Sequence, residues 1–194
     1  QQYPTLPIYP VVGDFIIDLG LRRTAGGTPV GFFPGSTIGN LDDDEIDAFM
    51  RAARLLLGDQ GQFLIGVDLR KSPDILVPAY DDADGVTAAF NLNLLIRINR
   101  ELEANFDLDA FAHRAIWNAR DSRIEMHLES QRDQTVTLAG TAIQDLRGDT
   151  IHTENSRKFE LSPLIAQMSA AGWQQSRVWQ DPRDYFAVIL LEAA

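Results

Sequence analysis

Continuous apolar runs and one amphipathic segment alternate in the first third of the chain. Residues 29–33 form a short apolar run ending at a Pro-Gly pair, which predicts a buried strand followed by a tight turn. Asp42 and Glu45 then form a capping-box signal, and apolar positions recur with helical spacing up to Gly58. Residues 62–69 carry an apolar run too short for a helix, which predicts a central parallel strand. Together these elements predict a βαβ unit.

The residues upstream indicate that the sheet extends beyond this unit. Residues 9–15 predict another strand, and a Gly-rich stretch at 25–28 separates it from the next one. A doubly wound fold normally opens with a strand and a Gly-rich loop, and neither occurs in the Pro-rich start at 3–10. We therefore expect the sequence to be a piece of a longer protein.

The pattern changes after Asp68. Apolar residues recur on one face over 82–103, which predicts a long helix, and 109–117 predict a further helix. Alternating apolar and polar positions predict strands at 124–128, 134–138 and 151–159. A second region of mixed helices and strands therefore follows the βαβ unit.

The earlier α/β pattern returns near Leu161. A helix is predicted over 162–172, and two strands, at 173–180 and 185–192, flank a turn signal at 181–184. The fold class is therefore α/β, with a lobe inserted into an open sheet. The predicted division is a first sheet segment at 1–70, an inserted domain at 71–158 and a closing segment at 159–194.

Composition and charge exclude several classes of function. Seventeen basic and 28 acidic residues in a chain of 194 give a net charge of −11, which repels phosphate backbones and anionic membranes. We therefore expect neither nucleic acid nor membrane as a partner. The absence of cysteine excludes disulfides, thiolate metal sites and thiol catalysis, and it fits a reducing cytoplasm. A cytoplasmic monomer is the expectation.

Common catalytic and metal motifs fail when they are tested on the sequence. His113, His127 and His152 have no spacing typical of metal ligands, so we expect no metal site. The acidic stretch at 81–85 does not fit a calcium loop. When Gly85 is aligned with the glycine at position six of such a loop, Tyr80 falls at the first ligand position, where a carboxylate is required. Residues 35–39 lack the lysine of a phosphate loop and the glycine spacing of a serine nucleophile.

The position of polar residues in the predicted fold is more informative. The segment from Gly35 to Asn40 leaves the carboxyl end of a predicted parallel strand, where ligands bind in open α/β sheets. Asn40 offers an amide that donates and accepts, although a helix cap explains it equally well. Asp14 and Phe15 end the preceding predicted strand and suit a nucleobase or ribose, but Asp14 also fits a simple turn. A solvated strand face accounts equally for the polar residues at 154–156.

Four segments together resemble the histidine-specific, S-adenosylmethionine-dependent Nα-methyltransferases, whose best-known members trimethylate histidine on the way to ergothioneine. The segments occur in the family's order, and the resemblance covers nearly the whole chain. They are VVGDF at 11–15, FPGSTIGN at 33–40, AYDDADGVTAAFN at 79–91 and HTENSRKF at 152–159.

The resemblance implies a partial class I methyltransferase (Rossmann-like) sheet with an inserted α+β substrate-binding domain. It implies that S-adenosylmethionine is the cofactor, that an amino acid, most often histidine, is the substrate, and that Asn40 orients the substrate amine as the catalytic residue. The implied cofactor-binding residues are Asp14, Phe15 and Gly35. The implied substrate-binding residues are Asn40, Tyr80, Met126, Glu154, Asn155 and Ser156, with the last three in the imidazole-recognising segment.

Two other functions stay open at this point. Asn40 and Tyr80 would hold any α-amino acid, so a methyltransferase for another amine is one alternative. A non-catalytic amino-acid-binding module is the other, because the family's amino-terminal half-sheet, with its Gly-rich cofactor loop, does not occur in these residues. For that reason we expect the 194-residue piece alone to be inactive and a longer form to be an enzyme.

Overall fold

The computed structural model describes residues 6–14 and 26–194. These residues form nine strands, four α-helices and two 3-10 turns. The strands are β1 (Val30–Phe33), β2 (Gln62–Asp68), β3 (Phe111–Asn118), β4 (Arg123–Ser130), β5 (Gln134–Leu138), β6 (Thr141–Asp145), β7 (Thr150–Arg157), β8 (Trp173–Gln180) and β9 (Phe186–Ala193). The helices are α1 (Asp43–Leu57), α2 (Pro73–Tyr80), α3 (Val86–Glu101) and α4 (Leu161–Ala170), and the 3-10 turns are Thr37–Asn40 and Leu108–Ala110.

The first lobe is a four-stranded sheet in the order β1-β2-β9-β8. Strands β1 and β2 are parallel, and β9 pairs antiparallel with both β2 and β8. Alternate apolar side chains of β2 and β9 are fully buried together with Trp173, whose indole Nε1 donates to the Met50 carbonyl at 2.9 Å. This topology confirms the predicted βαβ unit and the central position of β2.

Helix α1 begins where the sequence predicts. The Asp42 carboxylate accepts from the Glu45 backbone amide at 2.8 Å, and Glu45 accepts from the Asp42 amide at 2.9 Å. This reciprocal capping box satisfies two amides that the helix leaves unpaired, and Gly58 caps the other end with a positive φ of 70°. The helix buries Ile46, Phe49, Met50 and Leu57 in the core of the first lobe.

The second lobe is built on a three-stranded antiparallel sheet in the order β3-β4-β7. Helices α2 and α3 pack against β3 and β4, and the hairpin β5-β6 forms a separate two-stranded sheet. Two small clusters hold this lobe together, one around Leu95, Phe111 and Leu128, the other around Leu76, Ile124 and Met126. None of the helices among the described residues combines the length and the hydrophobicity that a membrane span requires.

Three local predictions are wrong. Residues 109–117 were predicted as a helix, but Phe111–Asn118 is strand β3, because full pairing with β4 outweighs a weak local pattern. The predicted helix over 82–103 begins only at Val86, because the Asp82 carboxylate accepts from the amides of Val86 and Thr87 and caps it there. Residues 9–14 contain no strand, and Phe15 lies outside the described residues.

The two lobes are joined where the chain leaves β2 and where it returns before α4. Leu69 and Phe159 form a parallel bridge, and the Phe159 amide donates to the Asp68 carbonyl at 2.9 Å. The outgoing and returning segments therefore run side by side at the carboxyl end of β2. The division at 70/71 and 158/159 stays a prediction.

Candidate functional site

A cavity of about 450 Å³ lies between the lobes, at the carboxyl ends of β1 and β2. This edge of an α/β sheet is where a ligand site is expected, and the volume lies in the range of small-molecule sites. The first lobe, the second lobe and the segment between them all contribute to its wall. The lining residues are Gly35, Ser36, Thr37, Asn40, Asp68, Lys71, Tyr80, Glu154, Ser156 and Phe186.

Asn40 reaches the second lobe because the 3-10 turn before it lies directly against β7. Ser36 opens the turn in the left-handed region with φ 59°, and its hydroxyl accepts from the Asp68 amide at 2.9 Å. Gly39 packs so closely that an added Cβ would lie 3.0 Å from the Arg157 carbonyl oxygen. Asn40 Nδ2 then donates to Glu154 Oε1 at 3.2 Å. Asn40 and Glu154, which were predicted to bind substrate and belong to different segments of the chain, are thus in direct contact.

Tyr80 is the last residue of α2, and the half-buried His113, backed by the buried Asn91, contacts this end of the helix. His113 Nε2 lies 2.7 Å from the Tyr80 carbonyl oxygen, and His113 Nδ1 lies 2.9 Å from Asn91 Nδ2. Because a carbonyl only accepts, the Nε2 atom carries the proton. The Tyr80 hydroxyl meets Ser156 Oγ at 2.8 Å. The structure therefore brings Tyr80 and Ser156 together at one side of the cavity.

Sequence reasoning missed the charged residues behind these hydroxyls. The Lys158 side chain is fully buried, and its ammonium lies 2.8 Å from Asp68 Oδ2. Lys71 pairs with the other oxygen of Asp68 and also lines the cavity. The available signals were the position of Asp68 at the end of a predicted parallel strand and the inclusion of Lys158 in the segment at 152–159.

The remaining predicted site residues lie at different distances from this cavity. Gly35 lines it, and Met126 is 5% exposed and faces Glu154 as its register partner on the neighbouring strand. Asn155 instead lines a second cavity of about 560 Å³, and its buried Oδ1 has no hydrogen-bond partner among the described residues. Asp14 is exposed and does not line either cavity. The roles of all these residues stay predictions.

The pairing of β4 with β7 brings together two histidines that are far apart in sequence. Ligand atoms of Glu125, His127 and His152 lie within 4.8 Å of one another. However, the two imidazoles stack with centroids 4.6 Å apart and planes inclined by 20°, so their in-plane lone pairs do not converge on one point. The Glu125 carboxylate is also paired with Arg123 at 2.7 Å. We assign no metal to this cluster.

The pKa of Glu125 reflects two opposing effects. Burial raises it, but hydrogen bonds from Asn118, Arg123 and His127 favour the carboxylate and together bring the pKa down from 4.5 to about 2. Glu125 is therefore ionised at neutral pH, as its ion pair with Arg123 requires.

The topology and the cavity define an α/β protein with a cavity of small-molecule size between its sheet and a second lobe. The family described as "Histidine-specific methyltransferase, SAM-dependent" matches residues 1–193. The chain belongs to this family, as its resemblance implied.

Relatives with assigned names agree with the family match. The chain is 42% identical to a histidine N-alpha-methyltransferase of Mycolicibacterium smegmatis, over 97% of this chain and 59% of that protein. It is 40% identical to a protein of the same name from Mycobacterium tuberculosis, over 98% of this chain and 60% of the relative. It is also 27% identical to ergothioneine biosynthesis protein 1 of Neurospora crassa, over 78% of this chain and 17% of that protein.

The chain thus spans about three fifths of the length of its two bacterial relatives. We use the term extended form for a protein that contains this chain and has the full length of those two relatives.

Proposed function

We propose that the extended form transfers methyl groups from S-adenosylmethionine to the α-amino group of histidine. The observation that carries this proposal is the distribution of charge in the cavity. Two separate groups of polar side chains line it: the Glu154 carboxylate in contact with Asn40, and the hydroxyls of Tyr80 and Ser156 in contact with each other and with the buried Lys158. An acceptor for imidazole N–H and a hydroxyl donor for a carboxylate suit the two ends of histidine.

The cofactor would lie beside the loop that follows β1. Gly35, Ser36 and Thr37 have small side chains at this edge of the sheet, and a Cβ built on Gly35 would meet no atom closer than 3.8 Å. The backbone is therefore open to close approach by a ligand. S-adenosylmethionine supplies an electrophilic methyl group on a sulfonium. Asp14 and Phe15 are its further proposed contacts.

Methyl transfer needs no covalent enzyme intermediate. This chain therefore acts mainly by holding the substrate amine in line with the methyl group of the sulfonium. Positioning of this kind accounts for a large share of the barrier in reactions between two bound molecules. Asn40 lines the same cavity as Gly35 to Thr37 and contacts Glu154, and its amide both donates and accepts. We assign it the orientation of the substrate amine, without a role as general base.

Histidine selectivity would come from Glu154. A carboxylate that accepts from an imidazole N–H forms a charge-assisted hydrogen bond. An apolar ring of similar size leaves that carboxylate without its partner, and sites built in this way reject such analogues strongly. Met126, the register partner of Glu154, supplies an apolar wall.

The proposed test is a substrate panel with the extended form and S-adenosylmethionine, comparing histidine with phenylalanine, tryptophan and lysine by mass spectrometry. We expect methylated histidine to form far faster than any other product. A preference for another amine would support the alternative methyltransferase. Binding of histidine without any methyl transfer would support the non-catalytic module.

A role in ergothioneine biosynthesis follows from the proposed product, and a cytoplasmic location and a monomeric state remain predictions.

A further inference from the structure

The Lys158 ammonium has three partners, which match its three N–H donors. It lies 2.7 Å from the Tyr80 hydroxyl, 2.8 Å from Ser156 Oγ and 2.8 Å from Asp68 Oδ2. The same ammonium also lies 4.6 Å from the centre of the Tyr80 ring. Because the side chain has no solvent exposure, these contacts replace the water that a charged amine requires.

This arrangement determines which way the two hydroxyls can donate. An ammonium only donates, so the oxygens of both Tyr80 and Ser156 must accept from Lys158. The two hydroxyls are 2.8 Å apart, and one of them donates to the other. The second hydroxyl proton then has no acceptor inside the group of three side chains. Since Tyr80 and Ser156 both line the cavity, that proton is available to an acceptor there.

The charge balance behind the hydroxyls favours an anion as that acceptor. Asp68 is shared between two ammonium groups, Lys71 at one oxygen and Lys158 at the other. One carboxylate between two lysines leaves an excess of one positive charge next to Tyr80 and Ser156. The negative charge of Glu154, which also lines the cavity, is held at its hydrogen bond with the neutral Asn40 amide.

We propose that Lys158 is a positioning residue that holds the Tyr80–Ser156 pair so that its one free hydroxyl proton is donated to the α-carboxylate of the substrate. It thereby selects α-amino acids over amines that lack this carboxylate. The proposal rests on the proposed function, because it concerns the same cavity and the same class of substrate. It differs from the roles implied by the resemblance in placing Ser156 at the carboxylate and in adding Lys158 and its partner Asp68.

The test compares two ligands that differ only at the carboxylate, L-histidine and L-histidinamide. Binding of each to the extended form is measured by calorimetry for the unchanged protein and for Lys158→Met. We expect the dissociation constant of histidine to rise about ten- to a hundredfold, as for a lost hydrogen bond to a charged group. That of histidinamide should change by no more than about twofold, the usual scatter for uncoupled sites. A merely structural role would weaken both ligands by the same factor and would overturn the proposal.

Two further variants control for charge and for coupling. Arg70→Met removes a positive charge from the residue next to Lys71, in an exposed pair with Glu160, and should leave the ratio of the two affinities unchanged. In a Tyr80→Phe background, Lys158→Met should weaken histidine much less than it does alone, since it acts partly through that hydroxyl. Fully additive effects would contradict the proposed route through Tyr80.

The proposal can still be tested if the Lys158→Met variant does not fold. Lys158→Gln retains a polar group and is the second variant if Lys158→Met does not fold. Tyr80→Phe requires no change at Lys158, and the proposal demands that it weaken histidine and spare histidinamide; equal losses would overturn it. If the unchanged protein binds neither ligand, the proposed function itself fails, which is a distinct result.

Discussion

Asn40 and Glu154 are 114 positions apart in sequence, yet Asn40 Nδ2 donates directly to Glu154 Oε1 at 3.2 Å. The first residue belongs to the turn after β1, and the second to β7 of the inserted lobe. Their contact joins the two lobes at the wall of the cavity. Under the proposed function, a bound amino acid shares or displaces this hydrogen bond, so the two side chains respond to the same ligand.

Replacing Glu154 should remove histidine selectivity from the extended form. Glu154→Ala takes away the proposed imidazole acceptor, and a lost hydrogen bond to a charged group costs about 1.5 to 3 kcal/mol, or about ten- to a hundredfold in affinity. Phenylalanine never forms that bond, so its weak binding should stay the same or improve. Binding and steady-state kinetics with both amino acids measure the difference. Tyr80→Phe is the control and should weaken both, because both carry the α-carboxylate; equal losses in Glu154→Ala would remove the imidazole assignment.

Asn40→Ala should reduce the rate of methyl transfer more than it reduces histidine binding. The amide is proposed to align the amine, and misalignment by about 1 Å can cost on the order of a hundredfold in rate. Single-turnover measurements at saturating histidine separate this rate from affinity. An unchanged rate with weakened binding would show that Asn40 serves only to bind.

Gly39→Ala should loosen the contact between the two lobes. Its new Cβ would lie 3.0 Å from the carbonyl oxygen and 3.3 Å from the amide nitrogen of Arg157, both of which belong to the backbone. Overpacking of this kind typically destabilises by about 1 to 3 kcal/mol. Gly35→Ala, in the same loop, is the control for stability, since its nearest atom would be 3.8 Å away. Chemical denaturation of both variants is the measurement, and equal stabilities would contradict the close approach of Gly39 to β7.

Acid should weaken the second lobe through Glu125. Its pKa in the fold is about 2, below the ordinary 4.5, because Asn118, Arg123 and His127 favour the charged form despite burial. The folded state therefore gains stability from Glu125 above pH 4.5, and this gain is lost as the pH falls from there towards 2. Glu125→Gln should lose less stability between neutral and acidic pH than the unchanged protein does. Urea denaturation at several pH values tests this, and identical pH dependence would show that Glu125 does not contribute.

The sequence predicted the first lobe well because its signals are local. The apolar run of β2, the capping box at Asp42 and the hairpin signal at 181–184 each act within a few residues. Strand β3 was missed because its stability depends on pairing with β4 rather than on its own pattern. Helix α2 was missed because Pro73 and Pro78 obscure an eight-residue helix.

The same distinction applies to the site. Asn40 and Gly35 could be placed from the sequence because they follow a parallel strand, whereas the roles of Tyr80, Glu154 and Ser156 came only from resemblance. The ion pair of Asp68 with Lys158 joins residues on either side of the inserted lobe, and no local spacing indicates it. The stacked His127 and His152 likewise meet only through the register of β4 and β7.

The position of the transferred methyl group tests the central claim most directly. The extended form is incubated with histidine and S-adenosylmethionine that carries a deuterated methyl group, and the product is fragmented in a mass spectrometer. The account predicts that every label stays with fragments that contain the α-nitrogen, because Glu154 holds the imidazole and Asn40 presents the amine. Label on the imidazole ring, or unlabelled histidine after prolonged incubation, would contradict it.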